Sequence, residues 1–517
     1  MFYVPLYFEA IRARPVLVFW VATLSQAAVW LLVPALFYAA PPGELAQVLA
    51  IGHEFQFDSD VGPPLAFWLA EIAFRIGGLF AVYALAQACV IATYWCVFRL
   101  GSAIVGPAQA VLAVLLMVGI SPFTVPSPNF GPPVLSMALW AAALLHYWLA
   151  VVEGRQRSWY AFAAAAALLL LASEGALILL GSLVAFTVLT ERGRRALDRL
   201  EPWIAAAALV AVLFVHLLWL EGGSDSLTPT LARLRDAGIA GKNTVSWLRL
   251  LIVLVLAHAG LAILVALGAG WPGSAAGPLP ALKRRAIDGF AVDFVKTLAL
   301  LPALLSTIFA VVLARPAPIG GVAPLVVLSP LAVILFAGDA IALYHQRILG
   351  VAWIGLLLVP ALMVPAVMIL LPWTLGTDLT VSEPASAMGR FFADTFASRT
   401  GHPLAVVTGE IGPAAIVALA APSRPSVYFD EDPQRSPSVT PDDIRRNGAV
   451  VVWLTPDTNP RPPPDIQTLF PGLVPAVPQV FERQVQGRMP SLRVGWAVIR
   501  PAQTAAAAAA QPQPKPQ

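Results

Sequence analysis

Charged side chains are scarce in this sequence. Asp, Glu, Lys and Arg make up 12% of the 517 residues, whereas 58% are apolar and the mean hydropathy is +0.77. An average soluble protein has roughly 25% charged residues. The composition therefore excludes an ordinary soluble protein and predicts an integral membrane protein, for which no nucleic-acid partner is expected.

Cysteine is scarce as well, because Cys89 and Cys96 are the only two in the chain. They lie seven residues apart in one apolar segment, and no neighbouring residue completes a metal site or a redox motif. We interpret both as small apolar residues that pack inside a span.

Long apolar runs recur through the first three quarters of the sequence. A helix needs roughly 20 apolar residues to cross a hydrocarbon core of about 30 Å, and about eleven segments approach this length. A break at Ser173-Glu174-Gly175 leaves open whether the runs on either side form one long helix or two short ones. The predicted spans are 15–39, 79–98, 104–120, 133–152, 159–172, 175–189, 203–220, 247–267, 295–313, 322–336 and 348–371.

Basic residues collect in the loops on one side of these spans. Arg12 and Arg14 precede the first span, and further clusters lie at 153–157, 192–195, 283–285 and 345–347. Because basic loops are retained in the cytoplasm, we expect a cytoplasmic N-terminus in a bacterial inner membrane. An odd number of spans then places Glu44 and the C-terminal region in the periplasm. The first apolar run, about 25 residues, is longer than the 7 to 15 of a secretory signal, so we expect it to remain as a span.

The composition changes at Thr377, where charged residues and short β-branched runs replace the apolar helices. Residues 403–408, 426–429, 448–454 and 492–499 are typical of buried strands, and helical stretches at 385–398 and 441–446 alternate with them. We predict a mainly α polytopic membrane domain over 1–376, with a first periplasmic loop at 40–78. A soluble periplasmic α/β domain with a largely parallel sheet follows over 377–502, and 503–517 form a disordered tail.

The loop after the first span places a carboxylate just outside the bilayer. If 43–51 are helical, Glu44 and Gln47 share one side, and Leu45, Val48 and Leu49 share another. Such a turn is expected to lie in the membrane interface with its apolar side down. Glu44 would then point at the aqueous face.

Three groups of residues carry a family resemblance that extends over nearly the whole chain. Gly43-Glu44 opens the loop, and Pro63-Pro64-Leu65 follows with Trp68. Asn129-Phe130-Gly131 later precedes a helix with Leu139-Trp140. Segments 403–409, 424–428, 446–453 and 495–497 resemble the periplasmic domain of many proteobacterial members. The pattern resembles the GT-C membrane glycosyltransferases, in particular glycosyltransferase family 39, the family of the protein O-mannosyltransferases, and the related lipid A aminoarabinose transferases.

The resemblance implies transfer of a sugar from a polyprenyl-phosphate donor, such as undecaprenyl phosphate, to a lipid, polysaccharide or protein at the periplasmic face. That family begins the loop with an Asp-Glu pair, whereas this chain has Gly43-Glu44. The resemblance therefore assigns the role of the family's catalytic carboxylate to Glu44 alone. A carboxylate there can take the proton of the acceptor. The leaving phosphate needs a cation, for which Arg249 and other basic residues on that side are candidates.

Further residues of the loop are candidates for substrate contacts. Asp58 and Asp60, together with His53 and Glu54, offer the carboxylate and imidazole groups that bind divalent metal ions, so a metal site remains an alternative. Their spacing matches no metal motif, and a solvated loop is the simpler interpretation. The remaining substrate-binding candidates are Gln47, Arg75 and Asn129.

Glu71 and Arg75 lie four residues apart and are interpreted first as an intrahelical ion pair, with a contact between Arg75 and the carrier phosphate as the alternative. A second class of function also remains open. The chain would then be a catalytically degenerate relative, or a protein that binds or moves the lipid carrier.

Overall fold

The structure is a computed structural model. It describes residues 9–56, 62–221, 241–269, 281–284, 286–342, 346–377, 379–429, 436, 438–456, 458 and 461–502. The chain divides into two compact units, of which the first comprises 1–33 and 80–364 and the second comprises 34–79 and 365–517. The segment that follows the first predicted span therefore belongs to the same unit as the C-terminal part of the chain.

The first unit consists almost entirely of apolar helices. Three of the helices continue into the second unit: α1 (Pro15–Phe37), α3 (Leu65–Ile104) and α15 (Gln346–Thr374). Two short strands, β1 (Ala281–Lys283) and β2 (Ala340–Ala342), pair antiparallel. The remaining helices of this unit are α4 (Pro107–Met117), α5 (Pro132–Val151), α6 (Arg157–Leu170), α7 (Ala176–Leu189), α8 (Glu191–Ala196), α9 (Glu201–Glu221), α10 (Gly241–Leu256), α11 (Ala259–Ala269), α12 (Gly289–Val312), α13 (Val322–Leu325) and α14 (Ser329–Phe336).

Five of the described helices are long and apolar enough to cross a membrane: α1, α3, α5, α12 and α15. The number rises to six when the bent pair of α10 and α11 is taken as one span. Several other apolar helices, such as α4, α6 and α7, have only 10–17 residues. The protein is thus a multi-pass membrane protein, and the expected eleven full-length spans are not confirmed.

The long helix α3 is interrupted at Gly77 and Gly78. Gly77 has φ −154° and ψ 27°, and Gly78 has φ +62° and ψ −154°, so neither is helical. A φ of +62° favours glycine, because a side chain there is strained. The break separates residues 65–76 of the second unit from the span predicted at 79–98.

The pair formed by α10 and α11 is bent by 52° at Ala257 and His258. His258 Nδ1 lies 2.6 Å from the Leu254 carbonyl oxygen, and its Nε2 lies 2.8 Å from Ser329 Oγ. The Ala257 carbonyl accepts the Ser121 amide at 2.9 Å. Backbone groups that a break exposes inside a membrane must be satisfied by protein, and these contacts do so.

The second unit is built on a five-stranded sheet in the order β4-β3-β5-β7-β6. The strands are β3 (Val406–Gly409), β4 (Ser426–Phe429), β5 (Ala449–Leu454), β6 (Gln479–Phe481) and β7 (Leu492–Ile499). The helices α16 (Ala385–Thr400), α17 (Ile411–Ala420), α18 (Pro441–Asn447) and α19 (Pro464–Leu469) lie between them in the chain. The predicted strands are therefore confirmed at nearly their expected bounds.

The sheet is mixed, which corrects the prediction of a largely parallel sheet. β3 pairs parallel with both β4 and β5, whereas β7 pairs antiparallel with β5 and β6. α19 and β6 follow β5 in the chain, and β7 then turns back from β6 and pairs antiparallel with both β6 and β5.

The helix at the start of the second unit, α2 (Leu45–Gly52), packs against α17. Seven of its eight residues are buried, including both Leu45 and Leu49 at 0% exposed. The expectation that the apolar side of α2 faces the bilayer is therefore wrong, because protein covers that side. The end of α2 also approaches α3 closely, since a Cβ added at Gly52 would lie 2.3 Å from the Phe67 carbonyl oxygen.

Candidate functional site

Glu44 stands at the N-cap position of α2 and its side chain is exposed. It forms no capping hydrogen bond, so its carboxylate is not engaged by its own helix. Gly43 before it has φ +55°, a conformation that suits glycine. The adjacent turn of α2 holds Gln47, which is half-buried. The structure thus presents Glu44 as a solvent-facing carboxylate on a helix whose other side is fixed against protein.

A second carboxylate of the same unit, Glu71, is buried and holds three nitrogen-bearing side chains. It lies on the first part of α3, and its side chain is 1% exposed. Arg75 donates from Nε to Glu71 Oε1 at 2.9 Å, and His53 Nδ1 lies 3.1 Å from the same oxygen. Arg424 donates from Nη2 to Glu71 Oε2 at 2.7 Å. This group of four residues is called the Glu71 cluster below.

The three partners of Glu71 differ in their access to solvent. The Arg424 side chain is 19% exposed, that of His53 27% and that of Arg75 54%. Burial lowers the pKa of the Arg424 guanidinium, and the Glu71 carboxylate beside it opposes that effect. The cluster is therefore mostly buried at Arg424 and exposed to solvent at Arg75.

Aromatic rings fix the planes of both guanidinium groups. The Arg424 guanidinium lies 4.5 Å from the centre of the Phe74 ring, and that of Arg75 lies 4.8 Å from the centre of the Phe55 ring. These are cation–π contacts. Arg75 also donates weakly from Nη2 to the His53 carbonyl at 3.4 Å. Each arginine is thus held by a carboxylate and by a ring.

Two polar atoms near this part of the chain are buried without a hydrogen-bond partner among the described residues. They are Nη1 of Arg424 and Oε1 of Glu54, the residue that follows His53. Buried polar groups in native proteins are nearly always paired, so each such atom calls for a partner. Arg424 thus retains donor capacity that Glu71 does not use.

The other predicted site residues fall in different parts of the chain. Asn129 is half-buried in the first unit between α4 and α5, and Arg249 is exposed on α10 of the same unit. Asp58 and Asp60 lie outside the described residues. Among the residues that are described, no group of three His, Cys, Asp or Glu side chains could hold a metal ion. Of the predicted residues, the structure brings His53 and Arg75 together.

The predicted ion pair between Glu71 and Arg75 is confirmed by the 2.9 Å contact. The roles of Glu71 as a shared partner and of Arg424 were missed. A single carboxylate in an apolar helix signals a buried partner, and this signal was available for Glu71. Arg424, which lies 353 residues away in sequence, gave no local signal.

Comparisons with known proteins agree with this architecture. Residues 61–219 match the sequence model of the dolichyl-phosphate-mannose-protein mannosyltransferase family. No curated protein sequence matches the chain. The fold is similar to that in the crystal structure of ArnT from Cupriavidus metallidurans bound to undecaprenyl phosphate, with a TM-score of 0.60 and 12% identity. The match covers 93% of this chain and 97% of that ArnT chain. The chain therefore shares the fold of this ArnT, and its residues 61–219 carry the sequence pattern of the mannosyltransferase family.

Proposed function

We propose that this protein is a membrane glycosyltransferase that takes a sugar from a polyprenyl-phosphate donor at the periplasmic face of a bacterial inner membrane. The observation that carries the proposal is the fold similarity to an ArnT that binds undecaprenyl phosphate, which extends over 93% of this chain. The match of residues 61–219 to a family of sugar transferases that use a lipid-phosphate donor supports the same reaction class. The acceptor is a lipid, a polysaccharide or a protein.

Glu44 is proposed as the general base of this transfer. The acceptor hydroxyl or amine gives its proton to the carboxylate while its oxygen or nitrogen attacks the anomeric carbon. The bond between that carbon and the phosphate oxygen breaks, and the polyprenyl phosphate leaves with the electron pair. An exposed carboxylate without a capping hydrogen bond, as Glu44 is, suits a group that must receive a proton from an incoming substrate.

The leaving phosphate requires positive charge. Arg75 is proposed as its contact in the second unit, because the guanidinium is half exposed and is held by Glu71 and Phe55. A guanidinium that is fixed in this way can bind two phosphate oxygens in a planar arrangement. Asn129, Arg249, Gln47, Asp58 and Asp60 remain candidates for further substrate contacts.

The test is mass spectrometry of envelope lipids and glycans from a deletion strain. The strain carries an empty vector, the wild-type gene, the Glu44→Gln gene or the Glu482→Gln gene. Glu482 is an exposed carboxylate of the same unit, which makes it a matched control. We expect one sugar mass to disappear with the empty vector and with Glu44→Gln, and to return with wild type and Glu482→Gln. Full activity of a well-expressed Glu44→Gln protein would refute the assignment of the base.

One observation favours a second candidate, a degenerate relative that binds or moves the lipid carrier without chemistry. Gly43 occupies the place of the Asp in the family pair, and its φ of +55° lies in the left-handed region, which glycine adopts more readily than aspartate. Under this alternative, wild-type protein binds undecaprenyl phosphate, but no sugar mass differs among the strains.

A further inference from the structure

The charges of the Glu71 cluster do not balance. One buried carboxylate forms ion pairs with two guanidinium groups, those of Arg75 and Arg424. The third partner, His53, adds positive charge when it is protonated and adds no negative charge in either state. The ion-paired side chains therefore carry at least one net positive charge in a partly desolvated place.

The donors of the cluster are not exhausted either. Glu71 occupies one nitrogen of Arg424, whose Nη1 is buried and has no partner among the described residues. Arg75 directs part of its guanidinium toward solvent, since its side chain is 54% exposed. A net positive charge, an unused buried donor and an accessible guanidinium match the needs of an oxyanion such as a phosphate group.

The arrangement joins two distant segments of the chain. His53 and Arg75 come from the segment at 34–79, whereas Arg424 comes from the turn between α17 and β4. Arg424 has φ +49°, which is uncommon for a residue with a side chain, and its guanidinium lies on the Phe74 ring. Among the described residues, Glu71 is the one group that both arginines contact through hydrogen bonds, so its carboxylate sets their relative orientation.

We propose that Glu71 is a positioning residue that holds Arg75 and Arg424 as one anion site, and that this site binds the phosphate group of the donor. The proposal rests on the proposed function for the identity of the donor, and it adds that the C-terminal part of the chain contributes to donor binding through Arg424. Glu71 itself does not touch the substrate. It aligns the two guanidinium groups that do.

The test measures binding of undecaprenyl phosphate to the purified full-length protein in detergent by native mass spectrometry, at a temperature well below the unfolding transition of each variant. Arg424→Gln and Arg75→Gln should each weaken binding about tenfold or more, as expected for loss of a charge-assisted hydrogen bond. Arg445→Gln is the control, because that arginine is 72% exposed and forms an ion pair with its neighbour Asp442 on α18. Its affinity should equal that of wild type.

Glu71→Gln separates positioning from simple electrostatics. Removing a negative charge raises the net positive charge of the site, so electrostatics alone predicts tighter binding of an anion. A positioning role predicts weaker binding, roughly tenfold, because the two guanidinium groups lose their common anchor. Tighter binding by folded Glu71→Gln would overturn the proposal.

The sources of the phosphate group are distinguished by competition with inorganic phosphate. If inorganic phosphate displaces the lipid from wild type and does so less well from Arg424→Gln, the site recognises phosphate in general. If it does not displace the lipid, the site takes phosphate only as part of the carrier. Both results support the site, provided that the arginine variants weaken lipid binding.

Failure of the inference can be told apart from failure of the proposed function. Wild-type binding that is unchanged in Arg424→Gln and Arg75→Gln overturns the inference alone. No lipid binding by wild type, together with unchanged envelope glycans, overturns both. If Arg424→Gln does not fold, the half-exposed Arg75→Gln decides, and wild-type affinity in that variant refutes the proposal.

Discussion

Removal of the Glu71 carboxylate is expected to destabilise the second unit strongly. Its side chain is 1% exposed, and that of Arg424 is 19% exposed. Breaking a buried ion pair by removing one partner costs about 3–5 kcal/mol, because the other charge stays desolvated. In a unit of about 200 residues, each 1 kcal/mol shifts Tm by about 2–4 °C. Glu71→Gln should therefore lower Tm by roughly 6–20 °C.

The coupling between the two groups is measured by a double-mutant cycle. Arg424→Gln alone leaves Glu71 with Arg75 and His53, so its cost should fall at the lower end of that range. The double variant Glu71→Gln/Arg424→Gln should lose less stability than the sum of the single variants, with a coupling of about 1–3 kcal/mol. Additive costs would mean that the pair contributes nothing beyond its separate side chains.

Thermal melting gives the Tm of each variant, and hydrogen-exchange mass spectrometry locates the loss of stability, because peptides from β5 and β7 report the second unit alone. The control is Asp442→Asn, which removes a pair whose side chains are 75% and 72% exposed. Exposed pairs contribute little, so its Tm should stay within about 2 °C of wild type. A change of the same small size in Glu71→Gln would refute the reasoning that the Glu71 cluster is a buried ion-pair network.

Three further predictions concern other places in the fold. Gly52→Ala should lower Tm, because the new Cβ would lie 2.3 Å from a backbone oxygen of α3. The control is Gly412→Ala on α17, whose new Cβ meets no atom within 4 Å, so this variant should be neutral or slightly stabilising in the same thermal melt. Arg284→Ala should destabilise the first unit by about 2–3 kcal/mol, because the Arg284 side chain is 6% exposed and donates to two carbonyls at the end of α14. Lys283→Ala is the control, because Lys283 is exposed, and equal melting curves for the two variants would contradict the prediction. A hydroxyl hydrogen bond at the start of α18 lowers the pKa of Asp443 from 3.8. The stability that the ionised carboxylate contributes is therefore complete above 3.8 and is lost as the pH falls through the lower pKa of the folded state. The difference in Tm between wild type and Asp443→Asn should shrink on acidification, and a constant difference would contradict this prediction.

Much of the fold could be predicted from the sequence, because short local patterns of residues determine the individual helices and strands. The run at β5, Ala449–Leu454, is β-branched and bounded by a turn glycine, and the strand forms where the sequence predicts it. Its antiparallel pairing with β7 depends on a segment that returns about 40 residues later, which no local pattern encodes. The strands were therefore predictable, but the mixed order of the sheet was not.

The partner of an apolar face is also not encoded locally. The sequence of α2 predicts a helix with one apolar side, which lipid and protein can cover equally well. In the fold, α17 covers it. The same limit applies to the candidate site, where the i,i+4 pair of Glu71 and Arg75 was predictable and the distant Arg424 was not.

The bend between α10 and α11 is closed by two facing glycines, which has a consequence for the sequences that this fold tolerates. A Cβ at Gly119 would lie 2.4 Å from the Leu261 amide nitrogen, and one at Gly260 would lie 2.7 Å from the Gly119 carbonyl oxygen. The Leu261 amide donates to that same carbonyl at 2.8 Å. Neither position can gain a methyl group without breaking this backbone hydrogen bond at the bend. In a library of random variants selected for folding, glycine should therefore be retained at both positions together.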